Sequence, residues 1–419
     1  MDLPAATVGP STEAERILAL DALRGLGVLG ILVMNIQSFS TISAAYINPT
    51  AYKPLLGAGL WVWLIGELTA DEKFMAIFSM LFGAGIVLLT SRIEARGVKP
   101  TPIFLRRSAW LMLFGLLHAY LLWSGDILFT YGICGLLAYP FRKLAPRRLL
   151  AIGLFVVSMG SAVSILTGWS LKYWPRADAA GFEETIWRPS PQRIASEIAA
   201  YRGSWPQQNR ARISDAISGQ TNALLYYSLW RAAGLMLVGM ALYKWGVLTA
   251  ARSNRFYWRC IAAGLLLGAP LILYGAWRDI QDGWRFSYSF FFGSQFNYWG
   301  SLGISLAWIG AIMLCCRAVA GLSAMRRLAA VGRMAFSNYI LETVICTTIF
   351  YGHGLGLFAK LDRLQCAGIV IAVWIVVFVV SQIWMRHFCF GPLEWLWRSL
   401  SYVEREPFRR GEPQPSLAL

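Results

Sequence analysis

Apolar stretches recur along most of this 419-residue chain, and short loops rich in arginine and lysine separate them. Stretches of about 17 or more residues recur, and this length is enough to cross a bilayer as an α-helix with every backbone hydrogen bond satisfied internally. The short alternating segments of about ten residues that build a transmembrane barrel are absent. The sequence therefore predicts an all-α fold, a polytopic membrane bundle of helices.

The composition excludes the soluble classes of protein. Charged residues make up 14% of the chain and hydrophobic residues 57%, whereas soluble domains carry about 25% charged residues. The net charge of +16 lies mainly in loops between apolar stretches, not in a basic stripe interleaved with aromatic side chains. We therefore expect a lipid bilayer as partner and no nucleic acid. The seven cysteines show no CxxC or Cys/His spacing typical of a metal site.

We predict ten spans with both termini cytoplasmic, because every loop that this topology places inside is strongly basic. The spans are expected at about 17–39, 73–91, 104–123, 127–141, 148–169, 223–243, 257–277, 295–316, 334–353 and 366–388. The resulting segments are a cytoplasmic tail (1–16), spans 1–5 (17–169), an extracytoplasmic loop (170–222), spans 6–10 (223–390) and a cytoplasmic tail (391–419).

Three shorter features refine this topology. The capping-box pattern of Thr12-Glu13-Ala14-Glu15 predicts a helix start before the first span. The Trp-rich stretch 59–70, with Trp61, Trp63 and Glu67, suits the headgroup region and is predicted to be an interfacial helix. The large loop has helical charge spacing over 190–202, so we expect a small helical cap over the outer membrane face.

Polar side chains within spans are costly, so each one marks a candidate functional site. In the first span Asp21 and Arg24 are three residues apart and can pair on one helix face. Asn35 follows Arg24 by three helical turns and points the same way about 16 Å deeper. This stripe predicts a donor-binding or catalytic surface. In the alternative interpretation Arg24 anchors the helix at the headgroups and Asn35 bonds a neighbouring helix.

A second candidate lies in the predicted hairpin between the third and fourth spans. His118 lies near the outer end of its span and Asp126 lies at the turn. A histidine oriented by a carboxylate can act as a general base or a nucleophile, although a lone intramembrane histidine is often a packing residue. Tyr131, just beyond the turn, is a candidate for substrate binding or for stabilising an oxyanion.

The ninth span carries a second polar stripe. Asn338 and Glu342 share a helix face, and His353 is expected to return to it eleven residues later. A carboxyl group at mid-span must be protonated, paired or facing water, and Arg24 and Arg231 are its candidate partners. Five residues of this stripe and its flank are candidate substrate or donor contacts: Arg333, Asn338, Tyr339, Glu342 and His353.

Three stretches and the chain's ending carry a resemblance to a known family. They are Leu20-Asp21-Ala22-Leu23-Arg24-Gly25 with Asn35-Ile36, then Phe114-Gly115-Leu116-Leu117-His118 with Gly125-Asp126-Ile127-Leu128 and Tyr131-Gly132, and Gly332-Arg333-Met334-Ala335 with Asn338-Tyr339. With the ending Gly391-Pro392-Leu393-Glu394-Trp395-Leu396-Trp397-Arg398, the chain resembles the bacterial YeiB or DUF418 family over nearly its whole length. This resemblance implies a multi-pass protein of the bacterial inner membrane.

The opening Asp21, Arg24-Gly25 and Asn35 is also similar to the first span of the transmembrane acyltransferase superfamily, which includes heparan α-glucosaminide N-acetyltransferase and glycan O-acetyltransferases. That similarity implies an acyl-CoA donor such as acetyl-CoA, an envelope glycan or lipid acceptor, and a homodimer. It also implies a donor-phosphate contact at Arg24. The O-acetyltransferases commonly have histidine at the place of Asn35, and the heparan type has its catalytic histidine in the next loop, but residues 40–72 contain none.

Three functions are consistent with these residues. The leading hypothesis is a membrane acyltransferase in which His118 is the base or acyl carrier, Asp126 orients it, and Asn35 or Tyr131 donates to the oxyanion. The second is a transporter or flippase of a small or lipid-linked solute, which the mid-span Glu342 allows. The third is a non-catalytic envelope protein that docks partners through its outer loop.

Overall fold

The computed structural model describes residues 17–318 and 321–411, so the predicted capping box at residues 12–15 lies outside the described residues. Within these ranges there is no β-strand, only one isolated antiparallel bridge. The all-α fold class is therefore confirmed. The helices are α1 (Leu18–Ser40), α2 (Ala44–Ile47), α3 (Gly57–Thr69), α4 (Lys73–Ala95), α5 (Thr101–Leu121), α6 (Leu128–Ala138), α7 (Pro146–Ser170), α8 (Arg176–Ile186), α9 (Pro191–Arg202), α10 (Trp205–Ser218), α11 (Leu229–Lys244), α12 (Asn254–Ala263), α13 (Ala269–Gln281), α14 (Phe286–Tyr288), α15 (Ser294–Arg317), α16 (Leu322–Arg333), α17 (Ala335–Phe350), α18 (Arg363–His387) and α19 (Pro392–Tyr402).

Within the described residues, seven helical segments are long and apolar enough to cross a membrane, and each overlaps one predicted span. The protein is therefore a polytopic helical membrane protein. The predicted spans 104–123, 127–141 and 334–353 correspond to α5, α6 and α17, which lie outside these seven, so the count of ten stays a prediction. The seven are Leu18–Ser40, Gly57–Ala95, Pro146–Tyr173, Trp205–Lys244, Asn254–Gln281, Phe286–Arg317 and Arg363–His387.

Helix α6, the second arm of the α5–α6 hairpin, is short. Its 11 residues extend about 16 Å, about half of a bilayer's hydrocarbon core. Helix α10 covers the hairpin tip, where the buried Arg212 donates to the backbone carbonyls of Tyr120 and Leu121. These carbonyls belong to the last turn of α5, which has no further helical partners for them. Helix α10 therefore covers part of the tip, while Gly125 at the turn is exposed.

Helices α1 and α16 cross with their backbones in contact. A Cβ atom added at Gly332 would lie 1.8 Å from the backbone oxygen of Asp21, and one at Gly25 would lie 2.2 Å from the oxygen of Leu328. Only glycine permits this approach at both positions. The sequence predicted 317–333 as a loop, but α16 packs along the first half of α1 and fixes the wall that carries Asp21 and Arg24.

A buried ion pair joins α11 to the residues before α4. The fully buried Arg231 lies 3.0 Å from the Glu72 carboxylate and donates to the Tyr298 backbone oxygen at 2.9 Å and the Ser301 hydroxyl at 2.6 Å. The Tyr227 hydroxyl donates to the other Glu72 oxygen at 2.6 Å. Paired and hydrogen-bonded in this way, the guanidinium tolerates complete burial.

Helices α8, α9 and α10 fall within the segment predicted as the outer cap. The Glu197 carboxylate accepts from the Ser43 backbone N–H and hydroxyl, both at 2.7 Å, and Arg202 Nε donates to the Phe358 oxygen at 2.7 Å. Burial raises the pKa of Glu197, against the effect of the bonds from Ser43. The helical run from α10 continues through the π-helical turn Gly219–Ser228 into α11, so no structural break marks residue 222.

Candidate active site

His118 and Asp126 meet across the tip of the α5–α6 hairpin. The distance from His118 Nδ1 to Asp126 Oδ1 is 2.9 Å, and both side chains are 1% exposed. The second Asp126 oxygen accepts the Phe129 backbone N–H at 2.8 Å, which caps the start of α6. A Cβ atom at Gly115 would lie 2.7 Å from that oxygen, so the glycine makes room for the carboxylate. The hairpin thus fixes the orientation of the imidazole.

The other face of His118 contacts α17. Nε2 lies 3.1 Å from the Thr343 hydroxyl, and that hydroxyl lies 3.1 Å from the Tyr339 backbone oxygen, which can accept its hydrogen. The Tyr339 ring lies 5.0 Å from the imidazole, centroid to centroid. Thr343 was not identified from the sequence, because a threonine in an apolar helix carries no signal for a partner 225 residues away.

A cavity of about 330 Å³ extends inward from the end of the bundle where α4 ends and α5 begins. We call this the basic end. Two acidic residues, Asp21 and Glu394, line the cavity, and its inner part is apolar and aromatic. Planar guanidinium groups bind phosphate oxygens in pairs, so a set of this size fits an anionic ligand with several phosphates. Six arginines line it: Arg24, Arg92, Arg96, Arg107, Arg333 and Arg398.

Helix α19 closes one side of the cavity, a role that the sequence did not indicate. Trp397 Nε1 donates to the Arg107 backbone oxygen at 2.9 Å, and the Arg107 guanidinium lies 3.5 Å from the centre of the Trp397 ring. The Glu394 carboxylate accepts the Phe336 and Ser337 backbone N–H groups at 2.6 and 3.1 Å and so caps α17. Burial raises the pKa of Glu394 despite these bonds. The sequence feature that could have indicated this helix is Gly391-Pro392, a typical helix start, followed by Glu394.

The cavity runs from the arginines towards His118. Along α5, Arg107 and Leu111 line the cavity, and His118 lies on the same helix face, about 16 Å beyond Arg107. At the inner end the lining includes Ile127, the residue after Asp126. His118 itself is not part of the lining; Tyr339, which is, contacts its ring.

Five of the candidate residues predicted from the sequence line the cavity. Asp21 and Arg24 form the expected pair, with a distance of 2.7 Å between Arg24 Nη1 and Asp21 Oδ1. The Tyr131 hydroxyl contacts the Ser79 hydroxyl at 3.1 Å and the Met75 backbone oxygen at 3.2 Å. The full set is Asp21, Arg24, Tyr131, Arg333 and Tyr339.

Asn35 and Asn338 are among the candidates that do not line the cavity. Asn35 is half-buried on the first helix but does not line the cavity, so the polar stripe from Arg24 does not continue to it as an open surface. Asn338 is fully buried, and its amide donates to the Val331 oxygen at 3.0 Å and the Ser381 hydroxyl at 2.9 Å. Asn338 therefore joins α17 to α18.

The predicted partners of Glu342 are wrong. Arg24 pairs with Asp21 and Arg231 pairs with Glu72, and among the described residues Glu342 Oε1 has no hydrogen-bond partner although the residue is 2% exposed. Each arginine has a carboxylate nearer than Glu342, and the linear sequence does not show which carboxylate will be nearest in the folded protein. A carboxyl buried without a cationic partner is tolerated in its neutral form.

The predicted position of His353 on the Glu342 face is also wrong. Helix α17 ends at Phe350 and Tyr351 is extended, so the helical spacing stops before His353. The exposed His353 instead places Nδ1 2.8 Å from the Gln208 side-chain oxygen of α10. Partial burial of the imidazole and the nearby Arg212 lower the pKa of His353.

No group of three or more His, Cys, Asp or Glu residues in the described ranges could hold a metal ion.

Comparison with known proteins places the whole chain in one family. Residues 242–404 match the family described as "Protein of unknown function (DUF418)". The chain is 33% identical to the uncharacterized protein YeiB of Escherichia coli (strain K12), over 92% of this chain and 96% of YeiB. It is 30% identical to the uncharacterized protein YxaH of Bacillus subtilis (strain 168), over 96% and 98% respectively. An uncharacterized 39.9 kDa protein of Bacillus acidopullulyticus is 26% identical over 94% and 96%. The chain therefore belongs to the YeiB/DUF418 family of helical membrane proteins.

Proposed function

We propose that this protein is a membrane acyltransferase that takes an acyl group from a phosphate-bearing donor, such as acyl-CoA, at the basic end. The acceptor is an extracytoplasmic glycan or lipid headgroup that approaches from the side of the cap. The observation that carries the proposal is the cavity, which begins among six arginines and ends beside Tyr339 and the residue after Asp126. Tyr339 contacts the buried His118–Asp126 pair.

The donor side of the proposal rests on charge and shape. A CoA-type donor carries several phosphates on a long, narrow arm, and the arginines match the phosphates while the apolar lining matches the arm. Arg24 is held by Asp21 at 2.7 Å and Arg107 by the Trp397 ring, so both guanidinium groups are oriented before a ligand binds. Orientation in advance reduces the entropy cost of binding.

The chemistry uses His118 as a general base. Nε2 takes the proton of the acceptor hydroxyl as its oxygen bonds to the acyl carbon, and returns that proton to the leaving sulfur as the carbon–sulfur bond breaks. Asp126, bonded to Nδ1 at 2.9 Å, orients the ring and stabilises its protonated form. Access to Nε2 from the cavity requires the Tyr339 side chain to turn aside. In a variant of this scheme Nε2 carries the acyl group transiently.

The test is mass spectrometry of envelope lipids and glycans from cells that lack the protein and from cells that express wild type, His118→Ala or His387→Ala. His387 is an exposed histidine at the end of α18 and serves as the matched control. We expect an acyl-sized mass difference with wild type and His387→Ala. We expect its loss with His118→Ala, because removing a general base costs about 10²–10⁴ in rate.

Membrane levels of each variant are measured by immunoblotting, so that lost protein is distinguished from lost chemistry. A His118→Ala variant that is present in the membrane and retains the mass difference would overturn the assignment of His118. Identical profiles in all four strains would overturn acyl transfer.

Transport is the second candidate, and a separate observation favours it. The 39-residue apolar segment Gly57–Ala95 is interrupted between α3 and α4, where Glu72 is left-handed and Lys73 is fully buried. Charged residues at an interrupted membrane helix are typical of the solute and ion sites of transporters. Identical mass profiles, together with solute uptake into proteoliposomes that Glu342→Gln abolishes, would favour this function.

A further inference from the structure

The last described residues fold back against the end of α18. The Cys389 N–H donates to the Phe408 oxygen at 3.0 Å, and the Arg410 N–H donates to the His387 oxygen at 3.1 Å. Phe388 and Arg409 form the isolated antiparallel bridge. The backbone of Arg409 is therefore held beside the last turn of α18.

Aromatic side chains fix this fold-back. The Phe388 ring lies 4.3 Å from that of Trp384 and 4.7 Å from that of Phe408, centroid to centroid, and the Trp395 ring lies 5.0 Å from that of Phe408. Aromatic clusters at the end of a membrane span occupy the headgroup region. The tryptophans of this cluster therefore favour a position of the fold-back near the lipid headgroups.

Exposed arginines surround the fold-back. The backbone oxygen of Arg327 on α16 accepts from Gln382 at 2.8 Å, one turn before Arg386 on α18. Two of the nearby acidic residues are turned inward, since Glu394 caps α17 and Glu406 is 3% exposed, whereas Glu404 beside Arg405 is half-buried. Six exposed arginines lie on α16, α18 and the fold-back, and we call this set the C-terminal basic surface: Arg326, Arg327, Arg386, Arg405, Arg409 and Arg410.

We propose that the C-terminal basic surface binds the headgroups of anionic phospholipids. Clusters of four to eight basic residues at the end of a membrane span are typical of such binding, and each contributes about 1 kcal/mol near the surface. The basic loops that orient a membrane protein need no defined structure. Here backbone hydrogen bonds hold the fold-back beside the last turn of α18, and the bond from Gln382 to Arg327 holds α16 against the same helix, so the arginines are carried on a fixed backbone. This surface is separate from the cavity.

The test compares full-length wild type with two variants that remove equal charge. Arg386→Gln/Arg409→Gln alters the C-terminal basic surface, and Arg255→Gln/Arg259→Gln alters exposed arginines of α12. Each purified protein is titrated with phosphatidylglycerol or phosphatidylcholine, with unfolding temperature and lipid retained in native mass spectrometry as readouts. We expect phosphatidylglycerol to bind wild type and the α12 variant. We expect about 30-fold weaker binding to the first variant, since two contacts of about 1 kcal/mol are lost.

The charge-preserving variant Arg386→Lys/Arg409→Lys checks folding and should bind phosphatidylglycerol nearly as wild type does. Equal losses in the two Gln variants would overturn the proposal, because the effect would then follow net charge alone. A failure of phosphatidylglycerol to bind better than phosphatidylcholine would also overturn it. Soluble glycerol phosphate should give no shift; a shift equal to that of the lipid would show that the ligand is a free phosphate.

Discussion

At the scale of single residues, the His118 imidazole is held on both sides. Asp126 bonds Nδ1 at 2.9 Å and the Thr343 hydroxyl contacts Nε2 at 3.1 Å. Thr343 has one hydroxyl hydrogen, which can go either to the Tyr339 oxygen or to Nε2. In the first case Nε2 must carry its own proton, and in the second it is an acceptor. The hydroxyl of Thr343 therefore influences whether His118 can accept a proton.

We predict that Thr343→Val lowers the stability of the protein and changes the environment of the His118 imidazole at Nε2. Valine keeps the shape of threonine but leaves buried Nε2 without a partner, at a cost of about 1–3 kcal/mol. The chain contains three histidines, so ¹⁵N-histidine labelling gives an NMR spectrum with few imidazole signals. The Nε2 signal of His118 should move while the signals of His353 and His387 stay, and thermal unfolding should occur at a lower temperature.

The matched variant is Thr343→Ser, which restores the hydroxyl and should restore both the Nε2 signal and the unfolding temperature. An unchanged Nε2 signal in Thr343→Val would mean that the contact does not exist in the folded protein.

Local spacing explains which residue pairs the sequence could predict. Asp21 and Arg24 are three apart on one helix, and their pairing followed from helical geometry. The distance between His118 and Asp126 depends on the conformation of the hairpin turn, so the sequence predicted only that the two residues lie near each other. The partner of Glu342 could not be predicted, because residue spacing does not show which carboxylate lies nearest to each arginine when they are on distant helices.

At the scale of helices, hydropathy located the long spans and missed elements that are not apolar. Helix α16 is basic on its exposed side and buries small residues such as Ala329 and Ala330, so it lacks the apolar length of a span. Helix α6 is apolar, but its 11 residues are fewer than the roughly 20 residues of a typical membrane span. Both helices build the candidate site, because short or polar helices can follow the outline of a cavity.

We predict that Gly332→Ala destabilises the α1–α16 crossing. The new Cβ would lie 1.8 Å from the Asp21 oxygen and 2.6 Å from the Gly25 nitrogen, and backbone atoms cannot move aside as a flexible side chain does. Overpacking of this kind costs about 1–3 kcal/mol or more. Thermal unfolding in detergent should therefore occur at a lower temperature.

Gly368→Ala on α18 is the control, because a Cβ atom there meets nothing within 4 Å and alanine favours a helix over glycine. Equal unfolding temperatures for wild type and both variants would contradict backbone contact at the crossing.

At the scale of the whole molecule, the candidate site is assembled from helices that are far apart in the chain. The cavity lining includes residues of α1, α4, α5, α6, α17 and α19. The sequence indicated polar stripes on two of these helices, but their common cavity depends on the packing of the complete bundle. The basic loops follow a simpler rule, since charge at each loop acts independently to orient the chain.

The proposed donor path requires the basic end to face the cytoplasm, and thiol labelling tests this orientation. Ser323 is exposed on α16 at the basic end, and Gln192 is exposed on α9 of the cap. Each is replaced singly, as Ser323→Cys or Gln192→Cys, in a Cys315→Ser background that lacks the exposed native cysteine. In intact cells a membrane-impermeant maleimide should label the cap variant, and should label the α16 variant only after permeabilisation, because an odd number of predicted spans separates the two positions. The background protein without either new cysteine gives the labelling to subtract. Labelling of the α16 variant in intact cells would place the arginine-lined cavity on the side without cytoplasmic acyl donors, and acyl transfer from acyl-CoA by this path would then be excluded.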